Sequence, residues 1–231
     1  LRPNVFQTVP TIEVQQNSMI SFVYQKYPDA NIVLLSDAKS KDMNEKLQSS
    51  FLQAKSVDNV QGIQKALVKE ATNIVFVSSD DVVFLSDAIR ILYNIAGISG
   101  KNKNYNIIMA TLDKGDAYDH NSISNSQLSA LKFTYPAANR YVGETNPFIS
   151  KYFKTYKMSP SKYAFRGFDL TMDAVLRTSL SGNFVKEANI GETSYQENKF
   201  QYIKNPSKGG GYENRAVYIL RYEDLQITEI Y

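Results

Sequence analysis

Three short unbroken apolar runs, Ile32-Val33-Leu34-Leu35, Ile74-Val75-Phe76-Val77 and Ile107-Ile108-Met109, alternate with stretches that carry helical apolar spacing. A strand made from such a run has no polar face, so it must be covered on both sides. Parallel sheets meet that condition because each crossover helix lies across a face of the sheet. The runs predict strands at 31–36, 73–78 and 106–110, with a weaker one near Val57. Helices are expected at 12–27 (Ile12, Met19, Ile20, Val23 and Tyr27 on one face), 41–54 (Met43, Leu47 and Phe51 inward, Ser40 as N-cap) and 60–70 (Ile63, Ala66 and Leu67). Another follows Asp80 or Asp81 as N-cap and aligns Leu85, Ile89, Leu92 and Ala96, with Gly97 and Gly100 stopping it. The fold class that follows is α/β, with a mostly parallel sheet and helices on both faces.

Beyond residue 110 the pattern weakens. Residues 113–126 read as a polar loop, with one helical turn at 125–130. Residues 131–135 alternate like a strand that Pro136 ends. Helices are expected at 146–157 (Phe148, Ile149, Tyr152, Phe153, Tyr156) and 161–180, the second with Phe168, Met172, Val175 and Ser179 as its inner face. Residues 182–214 are rich in Gly, Asn, Ser and Lys, and Gly209-Gly210-Gly211 is a flexible turn. Strands are expected at 200–203, 216–222 and 225–230.

Composition removes several functions. The chain has 231 residues and a formal charge of +3, with no clustered basic face for nucleic acid. Lys101-Asn102-Lys103 reads as a solvated loop. There is no cysteine, hence no disulfide, thiolate metal site or thiol nucleophile. His120 is the only histidine, and no Gly-x-Ser-x-Gly elbow, phosphate-binding glycine loop or Asp-x-Asp pair is present. No enzyme chemistry, metal site or cofactor is therefore expected. No apolar run is long enough to cross a membrane as a helix. Leu1-Arg2-Pro3 has neither Met nor a signal segment, which reads as a truncated start. The sixteen tyrosines, with Tyr135, Tyr141, Tyr152, Tyr156 and Tyr163 close together, read as margins of amphipathic helices.

Polar clusters follow all three apolar strands: Ser36-Asp37, Ser78-Ser79-Asp80-Asp81, and Asp113 with Asp116. In open α/β sheets this carboxyl-terminal edge is where ligands bind. The candidate ligand-binding residues are Ser36, Asp37, Ser79, Asp80 and Asp113; turns and helix capping are the commoner use of Ser and Asp at the first two of these places, and the two roles can hold together.

The order of short phrases along the chain resembles type I periplasmic binding proteins of the leucine/isoleucine/valine-receptor kind. Phe6-Gln7-Thr8-Val9-Pro10 resembles the crossover into the second lobe, and residues 12–135 resemble that lobe. Tyr135-Pro136, Asn146-Pro147-Phe148, Phe153, Tyr156, Pro160 and Gly167-Phe168-Asp169-Leu170 resemble the return into the first lobe. Ile190-Gly191-Glu192-Thr193-Ser194 resembles a turn before a strand, and Gly211-Tyr212-Glu213-Asn214 with the strand to Tyr222 resembles the last crossing. The resemblance implies a second-lobe domain at 1–135, a partial first lobe at 136–214, and strands returning at 215–231. The first three or four βα units of the family's first lobe are absent. It further implies a non-catalytic solute-binding or receptor domain in the periplasm or cell envelope, of the kind that serves as the substrate-binding component of an ABC transporter. The alternative is a cell-wall module, resembling activators of peptidoglycan synthases or domains that follow LysM repeats. The expected partners are a small polar solute or peptidoglycan fragment, a membrane permease or cell-wall enzyme, and a second copy of the chain held through exposed apolar helices.

Overall fold

A computed structural model describes residues 4–97, 105–143, 145–205 and 210–231. Gly100, Lys101–Lys103, Gly209 and Leu1–Pro3 lie outside the described residues. The chain divides into two compact units, one of Leu1–Val14 with Ala138–Tyr218 and one of Gln15–Ala137 with Ile219–Tyr231. It passes between them after Val14, Ala137 and Tyr218. No helix among the described residues is long and apolar enough to cross a membrane.

In chain order the elements begin with β1 (Phe6–Gln7), α1 (Ile12–Lys26), β2 (Asn31–Ser36), α2 (Lys41–Ser50), β3 (Lys55–Val57), β4 (Thr72–Ser78), α3 (Val82–Ile95) and β5 (Asn106–Ala110). They continue with α4 (Asn125–Ala130), β6 (Thr134–Ala137), α5 (Pro147–Tyr156), α6 (Lys162–Ser181), β7 (Thr193–Ser194), β8 (Lys199–Phe200), β9 (Tyr202–Asn205), β10 (Gly211–Asn214), β11 (Tyr218–Glu223) and β12 (Gln226–Glu229).

The Gln15–Ala137 unit is built on a seven-stranded sheet in the order β12-β11-β6-β5-β4-β2-β3. The pairs β3–β2, β2–β4, β4–β5 and β5–β6 are all parallel. Val33, Leu35, Ile74, Val75, Phe76, Val77 and Met109 are completely buried, the double coverage their apolar runs require. Met19, Val23, Leu47, Leu85, Ile89 and Leu92 supply the helical faces. Ile12 does not belong to that face: it is exposed, while Val14 and Phe22 are buried. β11 and β12 form an antiparallel hairpin through Asp224 and Leu225, whose positive φ values of 50° and 62° are those a two-residue turn of matching twist demands.

Four local expectations fail here for identifiable reasons. The helix expected at 60–70 is a 3-10 helix at Val60–Lys65, started by Asn59 accepting the Gly62 N–H. The Asn73 side chain then bonds Val68 N, Val68 O and Ala71 O, bending the chain into β4 before a longer helix can form. The helix expected to 54 stops at Ser50, where Phe51 leaves the helical region at φ −113°, ψ 86°. The strand expected at 131–135 starts only at Thr134. Leu131, Lys132 and Phe133 instead bond back to Gln127, Ser129 and Leu128 and close α4, with Lys132 left-handed at φ 50°. Pro136 lies inside β6 rather than ending it; β6 meets β5 only at Thr134, so no pairing with β5 calls on a Pro136 N–H.

The Ala138–Tyr218 unit holds a three-stranded sheet, β1-β10-β9, and the β7–β8 ribbon. The strand expected at 200–203 is broken at Gln201, whose N–H goes to the Asn214 side chain and whose carbonyl takes Arg215 N–H. Asn146 and Ser161 cap α5 and α6, and Lys157 and Gly182 end them in the left-handed region. The inner face of α6 is not the expected one. Val175 and Ser179 are exposed and Phe168 and Met172 half-buried; the buried residues are Phe165, Asp169, Asp173 and Arg177. Arg177 Nε donates to both oxygens of Asp173 at 2.9 Å. Its other nitrogens reach the carbonyls of Glu187, Ala188, Gly191 and Phe200 and the Thr193 hydroxyl, and the guanidinium stands 5.3 Å from the Tyr202 ring centre. A polar stripe thus replaces an apolar one because the loop it faces presents carbonyls rather than side chains.

Candidate functional site

The ends of β2, β4 and β5 lie side by side because their registers pair Ser36 with Ser78 and Phe76 with Ala110. This brings the candidate residues to one edge of the sheet. Ser36 is half-buried there. Asp37 N–H bonds the Ser78 carbonyl, and Asp37 Oδ1 accepts the N–H groups of Lys39 and Ser40 at 2.9 Å each. Ser40 stands at the N-cap position of α2 but makes no capping hydrogen bond through its side chain; Asp37 is the carboxylate that orders the turn. Asp37 Oδ2 takes the Ser79 hydroxyl at 2.5 Å, and Ser79 Oγ in turn accepts Asp81 N–H. Burial opposes the charge on Asp37, yet the hydrogen bonds from Ser79, Ser40 and Lys39 outweigh it and hold the carboxyl below its usual range. Asp81, not Asp80, caps α3 by accepting from Val83 and Phe84.

Asp80 and Asp113 are exposed on the same edge. Partial burial, and then the charge of Asp80, push the Asp113 carboxyl above its usual value. The loop after β5 lies against Asp80: a Cβ added to Gly115 would come within 2.8 Å of Asp80 Oδ1, so a larger residue there would push the Asp80 side chain aside. Thr111 Oγ1 donates to the Asp113 carbonyl, and buried Tyr118 donates to the Val77 carbonyl at 3.0 Å, which ties the loop to β4. Lys114, which sequence reasoning passed over, bonds both Asp119 oxygens at 2.6 Å and stands 5.6 Å from the Tyr135 ring centre. Its only sequence signal is its position one residue beyond Asp113.

Ser36 is taken up in the β2–β4 pairing, and the other four candidates split. Asp37 and Ser79 spend their polar atoms on each other and on backbone N–H groups. Asp80 and Asp113 present carboxylates outward and are suited to accept hydrogen bonds from, or offset the charge of, a polar solute. Asp116 opens a short 3-10 helix, and His120 bonds Ser122 on the surface. Among the described residues no group of three or more His, Cys, Asp or Glu side chains is placed to hold a metal ion.

No protein-family model matches the chain, and no curated protein matches it. Among solved structures, it is similar to a branched chain amino acid ABC transporter periplasmic ligand-binding protein from Burkholderia xenovorans LB400. The TM-score is 0.57 and the identity 8%, over 97% of this chain and 64% of that one. Looser alignments, too loose to add to the argument, reach a leucine binding protein from Thermotoga maritima (TM-score 0.46, 13% identity, 96% of this chain and 66% of that one). Another reaches an extracellular ligand-binding receptor from Verminephrobacter eiseniae (0.47, 12%, 98% and 68%). The chain thus spans less than two thirds of the length of its Burkholderia neighbour. A parallel α/β sheet, a second unit reached and left by three chain crossings, and an overlay across nearly every residue agree on one architecture: the chain has the type I periplasmic-binding fold.

Proposed function

We propose that the chain is a non-catalytic solute-binding domain that works outside the cytoplasm as the substrate-binding part of an ABC transporter, beside a membrane permease. One observation carries the reading: the fold likeness to a periplasmic ligand-binding protein, with polar side chains gathered at the strand edge where such sheets take ligands. Ser36, Asp37, Ser79, Asp80 and Asp113 surround the solute in this reading. Asp80 and Asp113 face it, and Asp37 and Ser79 hold the loops in place.

The test is thermal unfolding of the chain against a panel of amino acids and other small polar solutes, followed by calorimetric titration of any that act. A true ligand at about 100 times its Kd adds about 2.7 kcal/mol of stability, a clear rise in Tm. Asp80→Asn and Asp113→Asn should weaken that ligand at least about tenfold without lowering the Tm of the free protein. A panel in which no solute moves the Tm overturns the reading. We also propose that two copies associate through the exposed apolar side chains of α5 and α6, among them Phe153, Tyr156, Val175 and Leu180. Sedimentation should then show a dimer that Val175→Asp dissociates, and a monomer at high concentration refutes it.

A further inference from the structure

The turn that joins β7 to β8 is gripped from two sides. From α6, the buried Asp169 carboxylate accepts the N–H groups of Gln196, Glu197 and Asn198 at 3.1, 3.0 and 2.9 Å, and the Asn198 side-chain amide at 2.8 Å. From the segment after β6, Arg140 donates to the carbonyls of Tyr195 at 2.6 Å and Gln196 at 3.0 Å, and its own N–H meets the Glu197 carbonyl at 2.9 Å. Asn146 adds a bond to the Gln196 side chain. The backbone of Glu197 is therefore fixed with its N–H on Asp169, close enough for the Asp169 charge to act on its carboxyl group. One turn earlier on α6, Arg166 carries an Nε–H that is buried and has no hydrogen-bond partner. A buried donor left unmatched is costly and favours any arrangement that satisfies it.

We propose that Glu197 is a proton-operated latch for this turn. When neutral, its carboxyl meets no repulsion from Asp169, to which its own N–H is bonded, and the turn stays closed on α6. When ionised, it is repelled by Asp169 and drawn to the spare Nε–H of Arg166, and the swing loosens the turn's bonds to Asp169. Asp169 and Arg166 face Glu197 from α6, and Arg140 adjoins it from the segment after β6.

The titration runs in the required direction. Partial burial and then the Asp169 charge raise the Glu197 carboxyl from 4.5 to about 7, with Arg166 opposing. The folded protein holds this proton more tightly than the unfolded chain does. The stabilisation is thus complete below the ordinary carboxyl value of 4.5 and is lost as pH rises to about 7.

Amide hydrogen exchange at Gln196, Glu197 and Asn198, corrected for its intrinsic pH dependence and followed from pH 5 to 8, reads the latch directly. Protection in the wild-type chain should fall about tenfold across that range, the effect of one unit of carboxyl shift after allowance for solvent screening. Glu197→Gln should keep protection level. Arg166→Met removes the alternative seat and should move the fall to higher pH. Carbon-13 titration of the Glu197 carboxyl in the unaltered chain is the second measurement, with a midpoint near 7. A midpoint near the ordinary carboxyl value, or a parallel fall in Glu197→Gln, overturns the proposal.

Discussion

Arg177 is the residue whose loss the structure prices most clearly. Its guanidinium is buried, pairs with an equally buried Asp173, and also reaches four backbone carbonyls and a hydroxyl contributed by residues 187–200. Methionine fills much of the same volume but donates nothing. Among the described residues, Arg177→Met leaves Asp173 the Thr193 and Tyr195 hydroxyls, at 2.7 and 3.1 Å, to support a buried negative charge. Breaking one side of a buried pair in this way costs about 3–5 kcal/mol. The carbonyls of Glu187, Ala188, Gly191 and Phe200 lose a donor at the same time, which places the expected loss toward the upper end of that range.

The pair can be separated from the carbonyls by a double-mutant cycle. Asp173→Asn in the Arg177→Met background removes the stranded charge and should recover about 1–2 kcal/mol of the loss, so the two changes are strongly non-additive. The chain lacks tryptophan and has two units, so a single fluorescence melt is a poor probe. Denaturant-dependent hydrogen exchange at residues 187–200 reports this unit alone. If Arg177→Met lowers protection there by less than about 1 kcal/mol, or if the double variant shows simple addition, the network does not organise the loop and the reasoning fails.

Three smaller effects follow from the sheet edge. Asp37→Asn should cost about 1–2 kcal/mol at neutral pH, since it weakens the acceptor for two turn amides and the Ser79 hydroxyl. Because the Asp37 carboxyl is depressed, its stabilisation is present above the ordinary value of 3.8 and lost as pH falls below it; an acid-unfolding curve should flatten in the variant. Asp81→Ala removes both capping bonds of α3 and should lower stability by about 1 kcal/mol in urea unfolding, whereas Asp80→Ala should not. Gly115→Ala pushes the Asp80 carboxylate away from the Asp113 loop, so the Asp113 titration should fall back toward 3.8 by carboxyl NMR, with any bound solute weakened.

Periodicity located the parallel core because the physics there is one-dimensional. Each run at 31–36 and 106–110 can satisfy its side chains only as a doubly covered strand, and its limits in the structure match. The second helix of the other unit was misread for the same reason. Helical spacing points to an apolar stripe at Phe168, Met172 and Val175, while the buried face carries Asp169, Asp173 and Arg177 at four-residue spacing. Charged residues at that spacing ordinarily mark a solvated helix surface. What inverts the rule is a loop at 187–200 that turns its carbonyls inward, and neither its path nor its unmet acceptors are visible in that stretch of mostly polar residues without helical or strand periodicity. The end of α4 shows a smaller version: Leu131-Lys132-Phe133 alternates like a strand but serves as a helix cap, which the left-handed Lys132 does not advertise.

At the sheet edge, the sequence presents Asp37, Asp80 and Asp81 as near-equivalents, each following an apolar strand and preceding a helix. Their roles separate only when register is added. Pairing Ser36 with Ser78 brings the Ser79 hydroxyl within 2.5 Å of Asp37, so Asp37 and Ser79 are used up holding two neighbouring loops. Asp81 is drawn into the first turn of α3, which leaves Asp80 outside the cap and within reach of the Asp113 loop across a glycine. A carboxylate already saturated by backbone N–H groups has little left to offer a solute, whereas an exposed one that no turn or cap uses can still take any cation or donor that arrives. By that criterion Asp80 and Asp113 are the residues on which solute binding should depend, and Asp37 is the residue on which the shape of the edge depends.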